Sequence, residues 1–396
     1  MITQNVRIVD RATRAALTDL STYCWFLYAI GPVTLLLRSE QGWSRSIAGA
    51  HATAMALGFV IAGLLTRRLP DSFSVPLARR LCLVSVAVAC VGLASARSPV
   101  VSLTSAALSG TAGALLVNLM NPQLVRHHGS QSAAALALVN AAGATAGACA
   151  PLMVGFAASS TLGWRGLLWV LAIFIIALAS RRFTALGDSS QTSTVAYPAI
   201  PEQPKSSRST LRFWMAAVAL LGGQIVEFTT SLFAADVIHS KVGVSVADSA
   251  RLGAGFLVGF AAGRWLAAYL SHRYQAAHIM IASLILTGIA TAVVAGSSSL
   301  SGVVTGLVLI GLGAGPCYPL LIALALSCTT MSAQRASGTI GALSGVVVAT
   351  APFGLGALAD RTSLSALFVT LSGTAFVSAA CLMHGFVYAS NRHESA

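Results

Sequence analysis

The sequence predicts an all-α membrane protein whose twelve transmembrane helices form two pseudo-symmetric six-helix bundles. Three observations support this prediction. Only 9% of the 396 residues are charged, 56% are hydrophobic and the mean hydropathy is +0.79, whereas soluble domains are near a quarter charged. Apolar runs of about 18–25 residues recur along the chain, and each is long enough to cross a bilayer as a helix. The second half of the chain also repeats patterns of the first half.

The repeat is visible in two pairs of segments. Residues 58–69 (GFVIAGLLTRRL) match residues 263–274 (GRWLAAYLSHRY). The pattern Ala-Pro-x-x-x-Gly occurs at residues 150–155 and again at residues 351–356. A hydrophobic chain whose second half repeats its first predicts two similar helical bundles that move against each other.

Each predicted helix is an apolar run bounded by polar or charged residues. In the first bundle (residues 1–181) the runs lie at about 16–37, 44–66, 80–96, 99–120, 132–157 and 164–181. In the second bundle (residues 213–396) they lie at about 213–236, 247–270, 275–296, 301–327, 335–358 and 363–388. Residues 182–212 are rich in Ser, Thr and Pro without an apolar period, which predicts a flexible cytoplasmic linker.

The net charge of +13 is a signal of topology rather than of nucleic-acid binding. The arginines lie in short loops, and no basic stripe is interleaved with aromatic residues. With a cytoplasmic N-terminus, about 16 Lys and Arg fall on cytoplasmic segments and about 7 outside. We therefore expect a multi-pass protein of the cytoplasmic membrane with both termini in the cytoplasm. The first apolar run is too long for a signal peptide and should remain as the first helix.

The motifs of several other protein classes are absent from the sequence. The seven cysteines lie in or at the ends of apolar runs without metal-ligand spacing, so we expect no metal and no cofactor. No HExxH, Gly-x-Ser-x-Gly or Walker A motif is present, which argues against an enzyme and against a self-contained ATP-driven pump.

Several short motifs lie at the ends of the predicted helices. Gly63-Leu64-Leu65-Thr66-Arg67-Arg68 ends the second helix, Gly42-Trp43-Ser44-Arg45 precedes it, and Gly163-Trp164-Arg165 precedes the sixth. These segments resemble the major facilitator superfamily, and the resemblance extends across nearly the whole chain. The first segment keeps a glycine and an arginine of a family motif but has Arg67 where the family has aspartate. The resemblance implies the major facilitator fold, with alternating access around a cavity between the first, fourth, seventh and tenth helices.

In the family, the missing aspartate helps to latch the cytoplasmic side. The resemblance leaves Arg68, Arg264 and Arg273 as candidate gating or inter-bundle residues. Arg264 lies in the eighth helix, and we estimate that its depth differs from that of Glu227 by about 15 Å. A direct pair is therefore not expected, and Arg264 is interpreted as a snorkelling or gate-bonding arginine.

Small residues at four-residue spacing mark helices that the family fold places between the bundles. Gly147 and Pro151 do so in the fifth helix, and Gly255 and Gly259 do so in the eighth. Small side chains let helix backbones approach closely and slide, which favours a rocking interface. Ordinary close packing explains the same ridges.

Glu227 in the seventh helix is the leading candidate for proton coupling or substrate binding. An ionisable group inside a span must be paired, protonated or hydrated, and a buried carboxyl group can be neutral or charged near pH 7. Gln224 and Ser231 share the face of Glu227 and would line the cavity. A structural, hydrogen-bonded glutamate is the alternative.

His51 and Asp19 are further candidates for proton coupling. His51 lies at a depth similar to that of Glu227, so the two either share a proton or His51 is a packing histidine. Asp19 shares a face with Tyr23 near the cytoplasmic end of the first helix, as a cavity group or as an anchor.

Other polar residues of the spans would line the cavity. They are Tyr23, Asn140 in the fifth helix and Tyr318 in the tenth. Pro316 and Pro319 flank Tyr318 and are expected to kink that helix.

Together these features predict a monomeric secondary transporter in the lipid bilayer, with a small-molecule substrate and protons as the coupling ion. Export of an amphipathic or drug-like compound is the first expectation, because Gly147, Pro151 and Gly155 resemble the antiporter motif of the family's exporters. Proton-coupled uptake of a small organic anion or sugar is the alternative, because residues 42–45 resemble monocarboxylate-type permeases.

Overall fold

The structure, a computed structural model, describes residues 10–68, 74–128, 132–181, 207–271, 273–329 and 333–388. In these residues it contains helices and no strand, which confirms the predicted all-α fold. Its α-helices are α1 (Arg11–Gln41), α2 (Arg45–Arg68), α3 (Val75–Ser95), α4 (Pro99–His128), α5 (Ser132–Ala158), α6 (Gly163–Ser180), α7 (Ser207–Val242), α8 (Val246–Leu270), α9 (Ala276–Gly296), α10 (Leu300–Ala314), α11 (Cys317–Cys328), α12 (Ala333–Arg361) and α13 (Leu364–Leu382). A short π-helix, Met383–Tyr388, follows α13.

Eleven spans of the described residues are long and apolar enough to cross a membrane. The remaining predicted span, residues 247–270, forms the 25-residue helix α8, which carries Asp248, Arg251 and Arg264. Large apolar side chains point outward, as in Val100 and Trp265, which are each 70% exposed. Such a surface suits contact with lipid rather than water.

The first helix of each half ends in the same way. Gly42 after α1 and Gly243 after α7 adopt positive φ angles of 69° and 76°. The amide of Gly42 donates to Arg38 O at 2.9 Å, and the amide of Gly243 donates to His239 O at 3.0 Å. Glycine adopts this left-handed conformation without a steric penalty, so it terminates both helices sharply. The repeat in the sequence therefore has a counterpart in the backbone.

The chain divides into two compact units whose limits differ from the predicted bundles. The first unit contains residues 1–33 and 54–196, and the second contains residues 34–53 and 197–396. The end of α1 and the start of α2 thus pack with helices of the second half. Most of the predicted linker, residues 182–206, lies outside the described residues. Residues 207–212, which were also assigned to it, begin α7 instead.

A buried ion pair joins α1 and α3 in the first unit. Arg79 Nη2 lies 2.8 Å from Asp19 Oδ1, and Arg79 Nε lies 2.5 Å from Asp19 Oδ2. Arg79 Nη2 also donates to Leu178 O of α6 at 3.3 Å. The two side chains are only 0% and 2% exposed, so neither charge has water as an alternative partner. Of the two roles left open for Asp19, these contacts favour the anchor.

Asp19→Asn is expected to destabilise the protein by about 3–5 kcal/mol, because it leaves the buried Arg79 charge without its carboxylate. Denaturant unfolding in detergent micelles measures this change. The matched control Asp248→Asn removes the carboxylate of an exposed pair with Arg251 and should change stability by less than about 1 kcal/mol. The double variant Asp19→Leu, Arg79→Met should recover most of the loss. Unfolding of Asp19→Asn at the wild-type midpoint would contradict the anchoring role.

Candidate functional site

Glu227 lies in α7 and is buried in the second unit. The residue is 7% exposed, and it makes no hydrogen bond within the described parts of the chain. Gln224 and Thr230 lie one turn away on the same face of α7, since residues three apart are neighbours on a helix. Gln224 Oε1 and Thr230 Oγ1 are also buried without a hydrogen-bond partner among the described residues. Ser231, on the same face, is partly exposed. This face of α7 therefore carries unsatisfied polar atoms that suit a proton, water or a polar ligand.

Arg264 of α8 is held in place by two contacts. Its Nε donates to Gly315 O at 3.2 Å, and its guanidinium carbon lies 4.5 Å from the centre of the Phe260 ring. From this position Arg264 interacts electrostatically with Glu227. The site thus combines one buried carboxyl group with one fixed cation.

The helix bounds correct the sequence-based estimate that Glu227 and Arg264 differ by about 15 Å in depth. The seventh helix was expected to end near residue 236, but α7 continues to Val242 and α8 begins at Val246. Counted from the α7–α8 turn at 1.5 Å per residue, Glu227 lies at about 22 Å and Arg264 at about 27 Å. The two residues therefore lie at similar depth.

The tenth predicted span is broken beside this pair, as its prolines predicted. α10 ends at Ala314 and α11 begins at Cys317, with Pro316 at the start of α11. Tyr318 in the first turn of α11 is 41% exposed and interacts electrostatically with Glu227. A Cβ atom at Gly223 of α7 would lie 3.0 Å from Cys317 Cβ. This close approach of α7 and α11 places the helix break one turn from Glu227.

Glycines of α8 and α10 allow the two backbones to touch and so fix the position of Arg264. A Cβ atom at Gly259 would overlap Val308 O, and one at Gly311 would overlap Phe256 O. Gly255 likewise contacts Val308, inside the second unit. In the first unit, Gly147 of α5 lies against the ring of Tyr28. The described contacts of Gly147, Gly255 and Gly259 are thus close packing within a unit, and a sliding interface between the bundles stays a prediction.

His51 lies in the second unit but is not joined to Glu227. Its Nδ1 lies 2.9 Å from Ile47 O in the preceding turn of α2. Its Nε2 is buried and has no hydrogen-bond partner among the described residues. No hydrogen bond or ion pair connects His51 with Glu227 in this part of the chain, so the shared proton stays a prediction.

The other predicted cavity residues lie in the first unit. The Tyr23 hydroxyl is buried without a hydrogen-bond partner among the described residues, and its ring packs against Gly113 of α4. Asn140 of α5 is exposed, and Pro151 is buried inside the same helix.

The two remaining gating candidates have few described contacts. Arg68 is the last residue of α2, and its side chain lies outside the described residues. Arg273 is exposed after α8, where its guanidinium carbon lies 5.9 Å from the centre of the Tyr269 ring. A gating role for these arginines stays a prediction.

A cluster that the sequence did not predict holds residues 34–53 in the second unit. We call it the distal latch, because it lies at the C-terminal ends of α1 and α7, far from the start of α7. Asp236 Oδ2 lies 2.7 Å from Arg38 Nη1 and 2.8 Å from Arg45 Nε. Ser240 accepts from Arg45 Nη2 at 3.0 Å and donates to Asp236 Oδ1 at 3.0 Å. The Asp236 side chain is 4% exposed, so the pairs are strong because they are poorly screened.

The fifth member of the distal latch, Asp360 at the end of α12, caps the start of α2. Its two carboxylate oxygens accept from the amides of Arg45 at 2.8 Å and Ser46 at 2.7 Å. A carboxylate at a helix N-terminus satisfies free amides and complements the helix dipole. Further along α2, Thr53 Oγ1 donates to Ala349 O of α12. Acids from α7 and α12 therefore hold the start of α2.

Asp236→Asn is expected to loosen the distal latch, because both arginines lose their buried anionic partner. A cysteine at position 53, in a background with the exposed Cys149 replaced by serine, reports this change through its rate of alkylation by a membrane-impermeant maleimide. We expect alkylation several-fold faster with Asp236→Asn than without it, and no change with the control Asp248→Asn, which removes an exposed carboxylate of the same unit. Equal rates with and without Asp236→Asn would show that the cluster does not hold this segment.

Comparisons with family models and with solved structures point to the same family. Residues 20–235 match the model of the Major Facilitator Superfamily. By sequence, no curated protein matches the chain.

Several solved structures share the fold. The nucleoside transporter NupG (D323A mutant) has a TM-score of 0.75 and 13% identity, with 95% of this chain and 100% of that chain covered. A D-xylose-proton symporter has a TM-score of 0.69 and 13% identity, with 93% and 96% covered. The human organic anion transporter MFSD10 has a TM-score of 0.62 and 18% identity, with 94% and 97% covered. Since the family model spans more than half of the sequence, the chain belongs to the Major Facilitator Superfamily and is a transporter rather than an enzyme.

Proposed function

We propose that this chain is a proton-coupled secondary transporter that moves a small organic solute across the cytoplasmic membrane by alternating access. The observation that carries the proposal is Glu227, a buried carboxyl group without a hydrogen bond in the described residues, beside Arg264 and the α10–α11 break. A carboxyl group that is not locked into a hydrogen-bond network is free to exchange a proton between two states of a transporter.

The pair of Glu227 and Arg264 supplies a mechanism for coupling. The ionised Glu227 attracts Arg264, and a proton on Glu227 removes that attraction. Arg264, which still donates to Gly315 O, can then bind an anionic or polar group of the solute. Because each proton state favours a different partner for Arg264, protonation shifts the balance between the two access states.

Opening of the distal latch is a second step that the transport cycle requires. For the solute pathway to open on this side, Arg38 and Arg45 must leave Asp236, and the start of α2 must leave Asp360. Both changes separate residues 34–53 from α7 and α12. The closed latch is therefore one end state of the transport cycle in this proposal.

Two classes of substrate are compatible with this mechanism. Export of an amphipathic or drug-like compound is the first, because the apolar spans offer few charged groups. Uptake of a small organic anion or sugar is the second, and Arg264 favours it, because a fixed guanidinium group beside a carboxyl group that exchanges protons suits an anionic or hydroxyl-rich solute. The fold shared with a D-xylose-proton symporter and an organic anion transporter is compatible with this class.

We also propose an oligomeric state and a location for the protein. It acts as a monomer in the cytoplasmic membrane with both termini in the cytoplasm, as the distribution of Lys and Arg predicts. Protons are the coupling ion, and no nucleic acid, metal or cofactor takes part in transport.

Glu227→Gln should abolish solute movement driven by a pH gradient and should preserve exchange of labelled against unlabelled solute, because Gln keeps the polarity of the site but carries no exchangeable carboxyl proton. Proteoliposomes with nucleosides, pentoses, monocarboxylates and amphipathic cations measure both activities. The control Glu40→Gln, which removes an exposed carboxyl group, should behave like the wild type. Gradient-driven transport by Glu227→Gln at the wild-type rate would remove Glu227 from the coupling step.

Arg264→Gln separates the two substrate classes. If the solute is anionic, the variant should lose more than about tenfold in affinity, because a charged hydrogen bond to the solute is lost, and Arg264→Lys should recover part of it. Unchanged affinity for every anion of the panel, together with transport of an amphipathic compound, would favour the first class.

A further inference from the structure

Three side chains with metal-ligand chemistry lie together in the first unit, outside the membrane-spanning segments. Asp10 directly precedes α1, and His127 and His128 are the last two residues of α4. One ligand atom from each residue lies within 4.8 Å of the other two. The cluster therefore joins the start of the first membrane helix to the end of the fourth.

Asp10 and His127 are in direct contact. Asp10 Oδ1 accepts from the amide of Thr13 at 2.8 Å, so this oxygen caps α1. The other oxygen, Oδ2, contacts His127 Nε2. One carboxylate oxygen is thus occupied by the backbone, and the second faces the histidine.

His128 is oriented by a hydrogen bond with Thr13 and has one ring nitrogen without a partner among the described residues. Its Nε2 lies 2.6 Å from Thr13 Oγ1, while its Nδ1 is buried and has no hydrogen-bond partner among the described residues. His128 is 6% exposed, so water does not readily satisfy that nitrogen. A histidine with one ring nitrogen hydrogen-bonded to a protein oxygen, and with the other nitrogen unpartnered, has the arrangement found for metal ligands.

We propose that Asp10, His127 and His128 bind one divalent transition-metal ion, with Zn²⁺ the best match. Two imidazole nitrogens and one carboxylate oxygen form a ligand set that zinc prefers, with water in the fourth position. Mg²⁺ and Ca²⁺ favour sites made of oxygen ligands and are therefore disfavoured. Zinc ligands lie about 2.0–2.1 Å from the ion and about 3.4 Å from one another, so binding requires only a small rearrangement of the three side chains.

The cluster and Glu227 lie in different units, and the cluster lies outside the membrane-spanning segments. A metal ion here would tie the start of α1 to the end of α4.

Titration of the purified full-length protein with ZnCl₂, against a chromophoric chelator in detergent, tests the site. We expect one Zn²⁺ per chain, unaffected by excess MgCl₂. Asp10→Asn and His127→Gln should each weaken binding by more than about tenfold, because each removes a ligand. Asp10→Asn keeps an acceptor that caps α1, so this variant tests binding without loss of folding. His278→Gln, which removes an exposed histidine at the start of α9, is the matched control and should bind like the wild type.

Zinc should also raise the unfolding temperature of the wild type and of His278→Gln, and not that of Asp10→Asn, because only the folded state holds the three ligands together. No binding to the wild type would overturn the proposal and leave the cluster as a helix cap with hydrogen bonds. Equal binding by wild type, Asp10→Asn and His127→Gln would also overturn it, since the ion would then lie elsewhere.

Discussion

The structure depends on one constraint, namely that a charge inside the bilayer needs a partner other than water. Asp19 and Arg79 satisfy it within the first unit by a buried two-bond pair. Asp236 satisfies it at the end of α7 by binding two arginines. Glu227 is different, because Arg264 lies near it but no hydrogen bond links Glu227 to any described residue. The hydrogen-bonded ion pairs hold the helices in place, whereas a carboxyl group without such a bond keeps the freedom to change its charge.

Close backbone contact explains how the cation of this site is held. Glycines on α8 and α10 remove the side chains that would separate the two helices, and the break at Pro316 exposes the carbonyl of Gly315 to Arg264. Arg264 is therefore positioned by rigid elements rather than by a loop. In the proposed mechanism, this cation and the nearby carboxyl group of Glu227 link proton binding to solute binding without a large movement of Arg264 itself. The movement proposed for the cycle is that of residues 34–53, which the distal latch releases or holds.

Local patterns in the sequence were sufficient to predict the fold, while pairing between distant residues was not visible in them. Apolar runs and the internal repeat predicted the spans, and Pro316 predicted the break between α10 and α11. Arg79 was missed because the third run was counted from residue 80, whereas α3 begins at Val75. Asp236 and Asp360 were missed because their partners are 191 to 315 positions away in sequence. The predicted difference in depth between Glu227 and Arg264 was too large. The seventh helix was predicted to end near residue 236, where polar residues begin, but α7 extends to Val242. Glycine spacing identified close contacts correctly, but spacing alone does not say which helix is the neighbour.

The protonation of Glu227 can be measured directly. Infrared difference spectroscopy of the protein in lipid, wild type minus Glu227→Gln, detects the C=O stretch of a protonated carboxyl group. If Glu227 exchanges the coupling proton, the spectrum contains a band that is present at acid pH, disappears as the pH is raised, and shifts when a transported solute is added. A Glu227 that stays ionised at every pH at which transport occurs, with no such band in the difference spectrum, would exclude it as the coupling acid.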